Sequence, residues 1–172
     1  MKIVTWNVNG IRSRVFNEQI SSKLKKNELI YPQESSPIKT LIEDYDPDII
    51  CIQETRCSIE NSKKIQVPGY KTFFNESKMS DARAADRYSG TAIFYKENMN
   101  IVEISTELPG YNDNEGRIII VTLETFKCIT VYAPNSGTNY DNKISFMEAM
   151  IDYLNNITEP VVFCGDLNVA IC

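Results

Sequence analysis

The sequence predicts a layered α/β fold, and all 172 residues read as one domain. Short apolar runs of strand length recur along the chain, several of them end abruptly in polar side chains, and stretches with apolar residues at helical spacing feed into them. Composition agrees, because 42% hydrophobic and 24% charged residues are ordinary for a globular chain that buries a core. No segment approaches the roughly 20 consecutive apolar residues of a membrane span. The N-terminus carries only Lys2 before an apolar run that Asn7 and Asn9 interrupt. No membrane partner is expected, and the expected location is intracellular, nuclear if the source is a eukaryote.

Five cysteines and no histidine restrict the chemistry. Cys51, Cys128 and Cys164 sit inside apolar strand-like runs, where a thiol usually behaves as a small hydrophobe. No cysteine pair has CxxC spacing, so a structural zinc site is not expected, and histidine-based catalysis is excluded within this chain. The net charge of −5 argues against a nucleic-acid partner, but the acidic excess is concentrated in the second half of the chain. A carboxylate-rich metal pocket and an ordinary solvated surface both fit that distribution.

Taken in order, Lys2 to Asn9 alternates as a strand around Ile3, Val4, Trp6 and Val8, and Gly10 breaks it before a polar, helix-compatible stretch from Ser13 to Leu29. Pro37 to Tyr45 carries Ile38, Leu41 and Ile42 at helical spacing. Ile49 to Ile52 is a continuous apolar run, as expected of a strand covered on both faces, and Gln53-Glu54 ends it. A carboxylate there is costly unless it meets a cation, which makes Glu54 a candidate metal ligand; a loop glutamate paired with Arg56 is the plainer alternative. Lys63, Lys64, Lys71, Lys78, Arg83 and Arg87 lie near Tyr70 and Tyr88, a mixture that fits either a phosphate backbone or a solvated loop.

Tyr70 to Phe74, Ser89 to Tyr95, Ile101 to Ser105, Arg117 to Leu123 and Lys127 to Tyr132 read as further strands. Asp141 to Asn155 places Ile144, Met147, Met150, Ile151 and Leu154 on one helical face. The final run, VVFCGDLNVAIC from Val161 to Cys172, delivers Asp166 and Asn168 to the same face of a strand end. A carboxylate beside a carboxamide can take a proton from a water and orient it, although Asp-Leu-Asn also suits an ordinary turn. Asn7-Val8-Asn9 repeats this polar-apolar-polar ending, as expected of two symmetry mates in a duplicated fold.

Asn7, Asn9, Glu54, Tyr132, Asn135, Asp166 and Asn168 all fall at or just beyond strand ends, which gather at one rim of a layered fold. In the order WNVNG, IQET, EGR, YAPN, GDLN, the chain resembles the exonuclease III type of abasic-site endonuclease, within the endonuclease/exonuclease/phosphatase superfamily. The EGR and YAPNSG segments favour those nucleases over the superfamily's phosphoinositide phosphatases, sphingomyelinases and deadenylases. The resemblance implies a DNase I-like two-sheet α/β sandwich and Mg2+, with Mn2+ as a substitute. It implies that Glu54 binds the ion directly, that Asn9 supports it through water, and that Asp166 activates the attacking water with Asn168 and Asn7. Asp166 and Asn168 also count among its candidate metal-site residues. Tyr132 and Asn135 would contact the scissile phosphate, while Arg12, Arg56, Tyr88 and Arg117 would contact or frame DNA.

The implied reaction is phosphodiester hydrolysis 5′ to abasic sites in double-stranded DNA, as in base-excision repair, alongside 3′-to-5′ exonuclease or 3′-phosphodiesterase activity. Thr138 follows Gly137 where some relatives carry an arginine near DNA, and the 17–37 region is longer than usual. Relatives continue past GDLN through Val-Ala-His, whereas this chain reads Val169-Ala170-Ile171-Cys172. A truncated sandwich lacking the terminal Asp-His pair is therefore expected, an incomplete domain with open strand edges and weak or no incision alone. A non-catalytic remnant, one piece of a split enzyme with a complementary C-terminal fragment, and another phosphoesterase of the superfamily are the alternatives.

Overall fold

Alternation of side chains along each strand sorts the apolar residues between two faces, and that sorting builds four layers. The computed structural model describes residues 1–16, 28–78, 88–137 and 140–169. The first sheet contains β1 (Ile3–Asn7), β2 (Ile49–Gln53), β3 (Tyr70–Asn75) and β4 (Thr91–Lys96), in the order β1-β2-β4-β3. The second contains β5 (Ile101–Ser105), β6 (Ile118–Leu123), β7 (Lys127–Tyr132) and β8 (Val161–Asp166), in sequence order.

On β2, Ile50 and Ile52 pack with Ile11, Val15 and Phe16 from the α1 segment (helix Ile11–Val15) and with Ile38 of α2 (Pro37–Tyr45). Ile49 and Cys51 turn the other way, to meet Ile119, Val121 and Cys128 of the second sheet. The outer face of that sheet, with Ile118, Ile120, Ile129 and Val131, is covered by Phe146, Ala149 and Met150 of α4 (Tyr140–Asn155). A short α3 (Ile59–Ser62) follows the β2 loop. A strand covered on both faces must be apolar throughout, and every residue of β2 is buried.

The local signals act as expected. Ser36 is extended before Pro37 opens α2, and Asp46 closes the helix in the left-handed conformation. The first helix starts at Ile11, immediately after Gly10, earlier than the expected Ser13, and most of the stretch expected to continue it, residues 17–27, lies outside the described residues. Tyr70 is buried and donates its hydroxyl to the Pro47 carbonyl at 2.6 Å, which makes it a core residue rather than part of a nucleic-acid-stacking surface. Arg83 and Arg87 of the same basic segment lie outside the described residues.

Both parallel pairs, β1 with β2 and β7 with β8, sit at the end of their sheets, and each is joined by a helical crossover, as parallel neighbours require. From that end each sheet runs parallel, antiparallel, antiparallel. The repeated pattern matches the repeated endings of β1 and β8 noted in the sequence. Among the described residues no strand pairs with the outer edge of β1 or of β8, and Val162, Leu167 and Val169 are exposed along β8 and just beyond it.

Gly165 shows how closely β8 must approach β7. It lies at φ +129°, and a Cβ there would sit 2.0 Å from the Val131 carbonyl oxygen, so strand pairing and backbone conformation both demand glycine. Gly165→Ala is expected to destabilise the fold by about 2–4 kcal/mol, read as a lower denaturant midpoint at an unchanged slope.

Candidate active site

Three loops at one rim hold the polar residues in place. Glu54 follows β2 with φ at 54°, a left-handed conformation that a glutamate adopts only under constraint. Hydrogen bonds on both sides supply it: Gly10 N–H to the Glu54 carbonyl (2.8 Å), Ile11 N–H to Thr55 O (2.9 Å), Thr55 N–H to Gly90 O (3.0 Å) and Arg56 N–H to Ser89 O (2.9 Å). Asn9, Arg56 and Asn168 share the positive φ, so non-glycine left-handed backbone is concentrated around this rim.

The Asn7 carboxamide is the junction. Its Nδ2 donates to Glu54 Oε1 at 2.9 Å and to Asp166 Oδ2 at 2.6 Å, joining a carboxylate from the first sheet to one from the second. Asn9 N–H donates to Asn7 Oδ1 at 3.1 Å, which turns the amide so that its nitrogen faces both acids. Asn9 thus contacts the cluster through its backbone, at an exposed bend. Arg56 Nη2 donates to the second oxygen of Glu54 at 2.7 Å. The ion pair of the plainer sequence reading is present, but the Glu54 side chain is only 14% exposed, unlike that of an ordinary solvated loop glutamate.

Asn168 is locked from both ends: its N–H donates to Asp166 Oδ1 at 2.8 Å and its Nδ2 to the Ala133 carbonyl at 2.6 Å. The second bond ties the GDLN segment to the YAPN segment. Tyr132 ends β7 with its hydroxyl against Glu54 and Asn168; burial first, and then the Glu54 charge, push its phenol up to about 12. At neutral pH it is therefore a hydrogen-bond donor. An open cavity of about 500 Å³ leads to this rim, lined in part by Thr5, Asn7, Gln53, Asp166 and Asn168.

Arg117 lies beneath the rim. It is 3% exposed, with Nε on Glu115 (2.6 Å), Nη1 on the Tyr132 carbonyl (2.9 Å), Nη2 on the Tyr88 hydroxyl (3.1 Å), and its guanidinium 5.0 Å from the Tyr132 ring centre. Of the two expected roles, contact with DNA or framing of it, a guanidinium this buried suits framing, through Tyr132 and the partly exposed Tyr88. Arg12 lies in the first helix beside the rim, and Asn135 is exposed, its Oδ1 accepting from Gly137 N–H at 3.3 Å.

Sequence reasoning missed Asp113. It is buried and accepts from the N–H groups of Arg117 (2.6 Å) and Glu115 (3.0 Å), and so shapes the EGR turn. Asn75, which donates to Ile118 O (2.8 Å) and Asp113 (3.3 Å), was missed as well, although it too is a polar residue ending a strand.

The donor set suits a hard divalent cation. Two carboxylates stand around the Asn7 amide at the mouth of an open cavity that admits waters, the oxygen-rich surroundings such an ion takes. Glu54 and Asp166 would hold it.

Four layers with an acid and amide cluster at one rim define a DNase I-like two-sheet α/β sandwich. The chain belongs to the endonuclease/exonuclease/phosphatase family, which it matches over residues 4–171. It is 30% identical to a DNA-(apurinic or apyrimidinic site) endonuclease of Dictyostelium discoideum, over 99% of this chain and 42% of that protein. It is 32% identical to an exodeoxyribonuclease of Bacillus subtilis, over 99% of this chain and 59% of that one. An AP endonuclease structure from Archaeoglobus fulgidus superposes with a TM-score of 0.67 at 25% identity, covering 99% of this chain and 58% of that one. The chain thus spans about half the length of these relatives. Among the described residues, no helix is long and apolar enough to cross a membrane.

The raised phenol of Tyr132 sets a pH dependence. Its folded pKa of about 12 stands above the ordinary 10.0, so its contribution to stability is complete below pH 10 and is lost as the pH rises towards 12. Denaturant midpoints of the wild type are expected to fall more steeply across that window than those of Tyr132→Phe.

Proposed function

We propose that this chain carries the metal and nucleophile side of a Mg2+-dependent DNA phosphodiesterase that incises 5′ to abasic sites, with 3′-to-5′ exonuclease or 3′-phosphodiesterase activity on the same centre. The observation that carries the reading is the single Asn7 amide spanning Glu54 and Asp166. Bound Mg2+, or Mn2+ in its place, would supply charge stabilisation to the phosphate oxygens. Glu54 would hold the ion, with Asn9 supporting it through water.

Asp166 accepts a proton from the attacking water, and Asn7 and Asn168 fix the carboxylate that does so. Tyr132, protonated at neutral pH, donates to a phosphate oxygen as negative charge builds there, and Asn135 adds a second polar group on the same side. Arg12, Arg56, Tyr88 and Arg117 contact or frame the duplex. In-line displacement is mostly positioning and electrostatics, and the strained, multiply hydrogen-bonded rim suits that work.

A second reading rests on the open edges of β1 and β8 beside the site. These edges suit strands from a complementary segment, so the metal side held here works fully only once that segment is paired.

Mg2+ or Mn2+ binding to the chain is expected to fall by at least tenfold in Glu54→Gln, and Asn7→Ala is expected to lower affinity or activity by about 10- to 100-fold. With a duplex bearing one abasic site, the chain alone is expected to incise slowly and Asp166→Asn to lose about 10²- to 10³-fold of whatever rate remains. Equal rates in wild type and Asp166→Asn, or faster hydrolysis of a phosphoinositide than of abasic DNA, would overturn the assignment.

A further inference from the structure

Directly below the rim, between the two sheets, three thiols meet. Cys51 comes from β2, Cys128 from β7 and Cys164 from β8, and their sulfurs all lie within 4.8 Å of one another, Cys51 and Cys128 at 3.9 Å. Cys51 and Cys128 are fully buried, while Cys164 is partly exposed. Neither the hydrolytic chemistry nor the hydrogen-bond network above uses them. Linear spacing gave no hint of the cluster, because its members stand 77 and 36 positions apart on three strands, and the expectation of no structural zinc site rested on the lack of CxxC spacing and of histidine.

The geometry does not suit disulfides. Cys51 and Cys128 stand with their sulfurs 3.9 Å apart, well beyond the roughly 2.05 Å of a disulfide bond. Cys128 pairs with Val162 and Cys164 with Thr130, which offsets these two cysteines by two residues on adjacent parallel strands, about 8 Å apart from strand spacing and rise. The same sulfurs are close enough to converge on one ion. Three sulfurs about 2.3 Å from one centre stand about 3.8–4.0 Å apart in tetrahedral or trigonal geometry, which matches the Cys51–Cys128 distance.

We propose that Cys51, Cys128 and Cys164 form a binding site for one thiophilic d10 cation, distinct from the oxygen-ligand centre at the rim. Thiolates select Zn2+ or Cu+ over hard ions such as Mg2+. Of the two, Zn2+ fits better: three thiolates leave one negative charge around it in the buried layer and two around Cu+. The surroundings are those of a ligand's outer shell, with the Thr5 and Thr130 hydroxyls against Cys164, and Gln53 donating to both threonines at 3.1 and 2.8 Å. Thr5 and Gln53 also line the open cavity, which gives an ion a route to the partly exposed Cys164. Binding takes the thiolate forms, releasing protons as the ion enters, and ties β2 to β7 and β8, the strands that lead into Glu54, Tyr132 and Asp166.

The test is Co2+ titration of the full chain, reading thiolate-to-cobalt charge-transfer absorption, which oxygen ligands at the rim cannot produce. One equivalent is expected to saturate it, Zn2+ to displace it, and the thermal midpoint to rise with Zn2+. Cys51→Val, Cys128→Val and Cys164→Ser are each expected to remove the absorption, while Cys57→Ser, Cys172→Ser and Glu54→Gln keep it. X-ray absorption of the Zn2+-loaded wild type, which needs no variant, should show three sulfurs around zinc. Absence of the band, its survival in a folded Cys51→Val/Cys128→Val chain, or zinc bound only by oxygen would overturn the proposal. Anaerobic competition between Zn2+ and Cu+ decides which ion is preferred, and tighter Cu+ binding would overturn the zinc assignment while keeping the thiolate site. None of these readouts depends on nuclease activity.

Discussion

The donation of one carboxamide to two carboxylates, Asn7 to Glu54 and Asp166, is the constraint on which the rim depends. Each acid arrives on a different sheet, so the contact exists only if β1 and β8 lie side by side at the same end of the sandwich. The close approach of β8 to β7 at Gly165 sets one half of that placement. The other half is the backbone clamp that holds Glu54 in a left-handed conformation costing on the order of 1–3 kcal/mol, a strain tolerated because four neighbouring hydrogen bonds fix the loops around it.

Around this junction the second sheet mirrors the first. β2 and β7, the second strands in, lead to Glu54 just past the strand and to Tyr132 at its end, and the end strands β1 and β8 deliver Asn7 and Asp166. Tyr132 therefore faces Glu54 across the sandwich, and the negative charge of that acid helps keep the phenol protonated. Arg117 supports Tyr132 from beneath with a ring contact and a carbonyl hydrogen bond, and Asp113 fixes the turn that carries Arg117. Each rim group is thus held by a second: Asn7 and Asn168 fix Asp166 from within the cavity lining, and Arg117 backs Tyr132 from outside it.

The layer between the sheets changes character along its length. Ile49, Ile93, Ile119 and Val121 form a dry apolar core, while Cys51, Cys128 and Cys164, then Gln53, Thr5 and Thr130, fill the end beneath the rim. The buried Gln53 amide and Thr130 hydroxyl are tolerated there because they satisfy one another, and Gln53 also donates to the exposed Thr5 on the first sheet. Soft sulfur ligands thus lie under hard oxygen ligands, a separation that lets two ions of different chemistry be held without competing for the same atoms.

The amino-acid sequence by itself determined the elements: period-2 and period-3.6 patterning placed the strands and the helices α2 and α4, and Gly10 and Pro37 marked helix starts. It also determined which polar residues end strands, and hence nearly all of the rim. Only the tertiary structure decided what those residues touch. That Asn7 spans two acids, that Arg117 lies beneath the surface and that Asp113 shapes the turn all follow from the pairing and stacking of sheets. The three thiols show the reason most plainly. Periodicity reports which face of its own strand a side chain occupies, but which other strand lies opposite is fixed by long-range packing, and no local pattern encodes it.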